Sequence, residues 1–570
     1  MAGLDTVTEP NVRPTPRLPW LLLLLILVFN VWLRAHTFAP TLHARFGLSL
    51  WPVMGAASEP LDCDESAYAY IGRRINDGAV MYRDLSENKP PGGYWLYALA
   101  EAIGGANELT IRLMPLPLVL ATIVVVWWLG LRLGGPIAAT LGALLFCILN
   151  IDPYVYGNGS DFEHAINLFS VASLALVLRA SSSERGGTTL LVLAGASLGI
   201  ACLFKQVVLL NGPLLGGYLL LSGKPWKTRI RELAALGLGV ALVWLGSALL
   251  LVVQGAGPAA FNDIFRYGRA LATDTLPEPN APSFWIRWLV GNADPGGNLP
   301  PPFGRTDYLV WWGTGAWPVW LAGVSAMVSL TCSRTSNPER KLLVFWTLSA
   351  FVQVVLPGLY WAHYYMLPLP GLSVLVAVCF ADKLGRLCRG GVSTVFASVW
   401  LLGLTSALLW TGWIQTRDYL LTEPVMLTIK YKGGGQWVVL RDLGRELARR
   451  QGLWKSPKLF VWGWQSPLFF YSGLDGVSRH FFVDNLLRDH ASSNHPLIRP
   501  RIERIMRDLR ANPPALIFVG YPPFPELDAY LRERYLPSRI IGSETQGYPV
   551  WVERDKFVEF EAYGPMLIGP

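Results

Sequence analysis

An α-helical polytopic membrane protein with a small α/β domain at its carboxyl end is the fold class this 570-residue sequence predicts. Three observations carry it. Long uncharged runs near 20 residues recur across residues 1–412, a length that matches a hydrocarbon core of about 30 Å. Hydrophobic residues make up 52% of the chain and charged residues 15%, too greasy a balance for a set of soluble domains. After residue 412 the pattern changes to short β-rich runs alternating with helical ones.

The first apolar run, PWLLLLLILVFNVW, follows Arg13 and Arg17. It lacks a small-residue cleavage site and many spans follow it, so it reads as an uncleaved first helix rather than a signal peptide. Spans are expected at about 19–36, 114–133, 136–151, 164–180, 188–204, 207–222, 233–253, 310–331, 342–357, 365–381 and 392–412, roughly eleven in all. Between them the loops alternate in charge. SGKPWKTRIRE (222–232), SRTSNPERK (333–341) and DKLGRLCRGG (382–391) are basic, as are the N-terminus and the turns at Arg132 and Arg179–Arg185. With eleven spans these fall on one side, and positive loops stay cytoplasmic. The N-terminus is therefore expected in the cytoplasm of a cell-membrane protein. The segment 61–91, the 152–163 and 254–309 loops and everything after 412 are expected outside.

The net charge of +8 belongs to those loops, so it signals topology and not nucleic acid. Six cysteines are scattered without CxxC spacing and imply neither a disulfide framework nor a metal centre. Two domains are expected, 1–412 in the membrane and 413–570 outside it. In the second, KLFVWGW (458–464), ALIFVG (515–520) and YPVWVE (548–553) read as strands. Helical patterns at 436–450, 499–510 and 524–534 alternate with them. No Gly-rich phosphate fingerprint or metal-ligand spacing accompanies them.

The polar groups on the expected outer face carry the chemistry. Asp62, Asp64 and Glu65 crowd the start of DESAYAYIGRRIND, a helical pattern; acids there can simply cap it, with Asp64 or Glu65 in the first turn. GGYWLYALAEAIGG (92–105) reads as an interfacial helix started by Pro90–Pro91. The loop IDPYVYGNGSDFEHAINLF adds Asp152, Asp161 and Glu163 at a membrane boundary. Lys205 lies between two apolar runs, either snorkelling or pairing with an anion. His363 sits in a short turn between aromatics, where a structural hydrogen bond is the commoner role. Together, carboxylates, Lys89, Lys205 and headgroup-level aromatics suit one reaction type. Cations can hold a lipid-linked phosphate as it leaves, and a carboxylate can take the proton of an acceptor hydroxyl.

The stretch DESAYAYIGRRINDGAVMYRDLSENKPPGGYWLYAL resembles the first outer loop of polyprenyl-phosphate-sugar-dependent glycosyltransferases of the GT-C fold. That group includes the protein O-mannosyltransferases and the lipid A aminoarabinose transferases. Asp64–Glu65 and Lys89–Pro90–Pro91 with Tyr94–Trp95 match its hallmark, and GSDFEHAINLF is similar to its second-loop acidic motif. FKQ (204–206) and HYYMLPLPGL (363–372) also resemble recurrent elements. The resemblance implies a GT-C fold and sugar transfer, with inversion, from a polyprenyl-phosphate donor to a protein, lipid or glycan acceptor. It implies Asp64, with Glu65 beside it, as the catalytic carboxylate, although the neighbouring Asp62 fits the same place. Lys89 and Lys205, with Tyr68 and His363, would face the lipid phosphate; Asp161 or Glu163 would position the acceptor or Asp64. A divalent cation is compatible with this, but no cofactor is required. The chain departs from the aminoarabinose transferases at Ala67, where they carry arginine, with Arg73 or Arg74 as candidate replacements. It departs again at Asn88, where an acid would precede the lysine.

Two other classes compete. A transporter or flippase predicts internal repeats and charges at mid-bilayer, whereas here the acids gather at one surface and no repeat is evident. A binding protein would use its tail, with the acids as caps only. The sugar and the acceptor stay open, and the Pro- and Gly-rich 254–309 loop is expected to help shape their pocket.

Overall fold

The computed structural model describes residues 18–183, 186–272, 306–332, 337–357, 361–387, 393–538, 540–541, 549–564 and 566–567. Most of the 254–309 loop singled out above lies outside the described residues.

Helices cover every expected span, and the chain is a multi-pass membrane protein. Among the described residues, six helical stretches are long and apolar enough to cross a bilayer: Leu18–Phe46, Glu108–Leu149, Glu163–Ser181, Trp226–Val253, Ala362–Leu387 and Thr394–Leu420. Gly187–Cys202, Gln206–Leu220 and Ala316–Cys332 are shorter apolar helices among them. Within Pro115–Leu149 the chain folds back on itself at Gly135, which takes φ 82° just before Pro136. A Cβ on Gly130 would lie 2.6 Å from the Ala138 carbonyl. Along one straight helix those residues would be about 12 Å apart. The 114–133 and 136–151 spans are thus two arms of a tight hairpin. The Ala362–Leu387 helix is the most buried of the six and packs along this hairpin. Gly195 and Gly239 let the Gly187–Cys202 and Trp226–Val253 helices meet backbone to backbone, since a Cβ on Gly195 would sit 1.9 Å from the Leu236 carbonyl. Small residues at such crossings replace the hydrophobic drive that lipid removes.

Two amphipathic helices follow the first span, Cys63–Asn76 and Gly92–Gly104. They pack closely at Gly72, where a Cβ would reach within 2.8 Å of the Ala98 amide. Asn76 Nδ2 closes the pair with a 2.9 Å bond to the Ala98 carbonyl.

The described residues of the carboxyl-terminal part hold seven short strands: β1 (Lys458–Trp462), β2 (Asp475–Gly476), β3 (Leu516–Val519), β4 (Tyr535–Ser538), β5 (Ile540–Ile541), β6 (Val550–Glu553) and β7 (Met566–Leu567). Five form a sheet in the order β2-β1-β3-β6-β4, and β5 pairs with β7. Strands β2, β1 and β3 run parallel, with Phe460 beside Ile517; β6 is antiparallel to β3 and β4. Their near-continuous apolar runs suit burial on both faces. Helices Gln436–Arg450, Arg499–Ala511 and Pro525–Arg534 fall where the sequence patterns put them.

This part is bolted to the Cys63–Asn76 helix and the residues flanking it. Arg73 and Arg74 both pair with Asp475, and the Gly476 amide donates to Tyr70 Oη at 2.7 Å. Tyr471 Oη donates to Glu108 at 2.6 Å and accepts from the Leu61 amide at 2.9 Å. Arg73 and Arg74 are therefore spent on the carboxyl-terminal sheet and cannot stand in for an arginine at Ala67. Nine to ten residues along a helix carry a side chain about 14 Å past Asp64.

Candidate active site

The site grows from the first turn of the Cys63–Asn76 helix. Asp62 is its N-cap: Oδ1 accepts the Glu65 amide at 3.0 Å, and Glu65 Oε2 accepts the Asp62 amide at 3.1 Å. This is a capping box, built by an acid and a glutamate three residues later. Asp64 and Glu65 lie in the first turn as the sequence reading expected, and Asp62 is the acid that caps it. Asp64, two residues on, is left half-buried and lines a cavity. Among the described residues no hydrogen bond or ion pair engages its carboxylate.

Glu65 is wholly buried and does not line that cavity. Its Oε1 pairs with Arg112 and accepts the Ser160 amide at 2.7 Å, so the 61–91 segment, the 152–163 loop and the Glu108–Leu149 stretch meet on one carboxylate. Arg112 also donates to the Pro60 carbonyl at 2.6 Å. Burial alone would raise the Glu65 pKa, but Arg112 and Lys432 outweigh it and hold the group below its ordinary value. Asp62 has no such partner. Burial, then Glu65, pushes it up to about 7, with Lys432 opposing.

The cavity measures about 820 Å³, within the size range of small-molecule sites. Asp64, Lys89, Asp161, Lys205 and His363 all line it, so five of the sequence-derived residues converge across four separate segments. Lys89 Nζ lies 3.6 Å from Glu87 and 5.1 Å from the Tyr68 ring centre. Burial opposes its charge, but Glu87 and Asp64 outweigh that and hold the ammonium above its ordinary pKa. Tyr68 is buried behind Lys89, stacked on Phe162 at 4.2 Å, and is not part of the lining. Lys205 pairs with Glu163, which supports pairing over snorkelling, and sits 3.7 Å over the Tyr364 ring. Glu163 is buried behind it and meets the cavity only through Lys205.

Asp161 is 4% exposed, and its Oδ2 is buried without a hydrogen-bond partner. Burial, reinforced by Asp62, raises its pKa well above the carboxylate range. Donor atoms of Asp64, Asp161 and His363 lie within 4.8 Å of one another. Two carboxylates and an imidazole around an orphaned oxygen fit a divalent cation such as zinc or manganese. Spacing rules missed this trio because its members come from three distant segments. Asn88 also lines the cavity.

Several cavity residues were not read from the sequence. Lys432, just before three glycines, is buried 3.1 Å from Glu59 Oε1. Burial disfavours its charge, but Glu59 and Glu65 keep it above the ordinary lysine value. Trp437, Trp464, Phe482 and Asn485 come from the carboxyl-terminal part. Arg501 and Arg479 both pair with Asp263, which also accepts from Ser86 at 3.0 Å. That clasp fixes the loop leading to Lys89 against the carboxyl-terminal part.

Comparison with known proteins agrees with the resemblance of the first loop. A family model described as dolichyl-phosphate-mannose-protein mannosyltransferase matches residues 88–247. An undecaprenyl phosphate-α-4-amino-4-deoxy-L-arabinose arabinosyl transferase from Erwinia tasmaniensis is 29% identical over 189 residues. Those residues are 30% of this chain and 32% of the relative, so the match spans about a third of that protein's length. The crystal structure of ArnT from Cupriavidus metallidurans bound to undecaprenyl phosphate has a TM-score of 0.58 at 16% identity, covering 94% of this chain and 98% of that one. The Archaeoglobus fulgidus oligosaccharyltransferase in its apo form has a TM-score of 0.53 at 15% identity, covering 88% and 70%. At these identities the likeness establishes the fold: the chain has the GT-C fold.

Proposed function

We propose that this GT-C chain is a membrane glycosyltransferase that moves a sugar from a polyprenyl-phosphate donor to a hydroxyl acceptor outside the cytoplasm, with inversion at the anomeric carbon. The observation that carries it is the single cavity in which the unengaged Asp64 carboxylate faces Lys89 and Lys205. The similarity to an undecaprenyl phosphate-α-4-amino-4-deoxy-L-arabinose arabinosyl transferase and to the dolichyl-phosphate-mannose-protein mannosyltransferase family supports the donor class. The topology adopted is that of the basic loops, with the N-terminus in the cytoplasm and residues 413–570 outside.

In this reading Asp64 takes the proton of the acceptor hydroxyl as its oxygen attacks the anomeric carbon. The bond from that carbon to the phosphate oxygen breaks, and the lipid phosphate leaves with one more negative charge than the diester carried. Lys89 and Lys205 meet that charge where it develops, in a partly enclosed site where electrostatics are strong. Asp62 is the weaker candidate for base because one oxygen is committed to the helix cap. Glu65 and Glu163 act through their cations, fixing Arg112 and Lys205. A divalent cation held by Asp64, Asp161 and His363 would supply Lewis-acid neutralisation of phosphate charge. Mass spectrometry of envelope glycans, lipids and proteins with and without the protein tests the reading. A pentose- or hexose-sized mass loss on one acceptor class supports it; identical profiles contradict it.

A further inference from the structure

The sequence stretch LFVWGWQSPLFFYSG has no role in the chemistry above, yet it forms one wall of the cavity. β1 ends at Trp462, and Trp464 follows at the carboxyl edge of the parallel strands, half-buried and facing the cavity. Ligands of open α/β sheets bind at that edge. Trp464 stands 6.3 Å from Trp437 and 6.5 Å from Tyr521, ring centre to ring centre, in edge-on and tilted arrangements. Phe482 and Asn485 complete this side of the cavity. Among the described residues no hydrogen bond engages the Trp464 indole N–H or the Asn485 side-chain amide, and both residues line the space.

The wall is also held in register with the proposed base. Two residues after Trp464, Ser466 Oγ donates to the Cys63 carbonyl at 2.5 Å and lies 3.0 Å from Ser66 Oγ. Cys63 is the residue before Asp64. A ligand seated on Trp464 is therefore positioned by the same turn that positions Asp64.

We infer that this wall is the acceptor subsite and that its acceptor is a carbohydrate; the inference rests on the glycosyltransferase reading. A sugar ring has a face of C–H groups and an edge of hydroxyls. Its face suits an indole, whose π surface is electron-rich, and its edge suits an amide and an indole N–H. An extended peptide would need a free strand edge to pair with. Here β3 covers one side of β1; on the other, β2 pairs with Lys458 and Leu459, the Val483 amide bonds the Gly463 carbonyl at 3.0 Å, and the Gly476 amide is spent on Tyr70. A lipid acceptor would call for an apolar wall supplied by the spans, whereas these residues come from the helices and loops of the carboxyl-terminal part.

The test is saturation-transfer NMR on the full chain in nanodiscs, with maltotriose, mannotriose, arabinotriose and chitotriose as probes and a serine/threonine-rich peptide as comparison. At least one trisaccharide should receive saturation at its ring C–H protons. Trp464→Ala should weaken its binding at least tenfold, Trp464→Phe should keep it within about threefold, and the peptide should show none. Asn485→Ala, which removes no core side chain, should also weaken it severalfold and decides the matter if Trp464→Ala fails to fold. Absence of any trisaccharide signal, wild-type binding by Asn485→Ala and a folded Trp464→Ala, or preferential saturation of the peptide overturns the inference. Donor turnover by the wild-type protein is measured in parallel. Trisaccharide binding without turnover of any polyprenyl-phosphate sugar defeats the glycosyltransferase reading alone; turnover without binding defeats this inference alone.

Discussion

Lys205 and Glu163 form an ion pair at the cavity wall, the ammonium of Lys205 resting over the Tyr364 ring. Among the described residues the Glu163 carboxylate pairs with no other side chain, so in the proposed reaction it holds Lys205 in place while the ammonium faces the donor. Lys205→Met should lower donor turnover by about 100-fold, the scale expected for one group aimed at developing charge. Glu163→Gln should cost less and show mainly as a raised donor KM. Steady-state release of lipid phosphate from donor by reconstituted protein separates the two.

The Glu65–Arg112 pair is buried on both sides, so removing either partner strands a charge. Glu65→Ala or Arg112→Met should cost about 3–5 kcal/mol of stability. The double variant should cost less than the sum, because each single change already breaks the shared contact. Chemical unfolding in detergent checks both.

Glu101, on the Gly92–Gly104 helix, has both carboxylate oxygens buried without partners, and burial pushes its pKa up to about 8, with Arg73 opposing. Its ordinary value is 4.5. Between those values the folded chain holds a proton that the unfolded chain releases, so stability falls as pH rises from about 4.5 to 8. Glu101→Gln should flatten that slope and raise Tm at pH 8.5, while the two proteins converge near pH 5. Thermal unfolding across this pH range reads it.

Gly93 faces the Phe162 ring so closely that a Cβ there would lie 2.0 Å from its Cζ. Gly93→Ala should displace Phe162 from Tyr68, on which it stacks, and so disturb the ring behind Lys89. Overpacking of this kind costs about 1–3 kcal/mol. The expected result is a lower Tm together with a raised donor KM; an unchanged KM would show that Tyr68 does not support Lys89.

Much of this site was legible because its residues break a pattern. Asp64, Lys89, Asp161 and Lys205 are charges beside apolar runs, and the cost of such placement makes them conspicuous. The two arms of the Gly135–Pro136 hairpin were legible as separate spans because the charge of Arg132 falls between two apolar runs. Asp62 was missed as the cap although its glutamate three residues on spells a capping box. Arg73 and Arg74 were misread because only the fold reveals Asp475 as their partner. Lys432, Trp437 and Trp464 were invisible as site residues. They sit in a segment of ordinary soluble composition, and only long-range packing brings them to the cavity.

Release of undecaprenyl phosphate from a panel of undecaprenyl-phosphate pentoses and hexoses, by wild-type, Asp64→Asn and Asp62→Asn proteins in liposomes, tests the central claim most directly. The account predicts turnover of at least one donor by the wild type, and a loss of 100-fold or more in Asp64→Asn, which still unfolds like the wild type. It predicts a much smaller loss in Asp62→Asn, since asparagine still caps the helix. Turnover of no donor, or wild-type rates in Asp64→Asn, would contradict it.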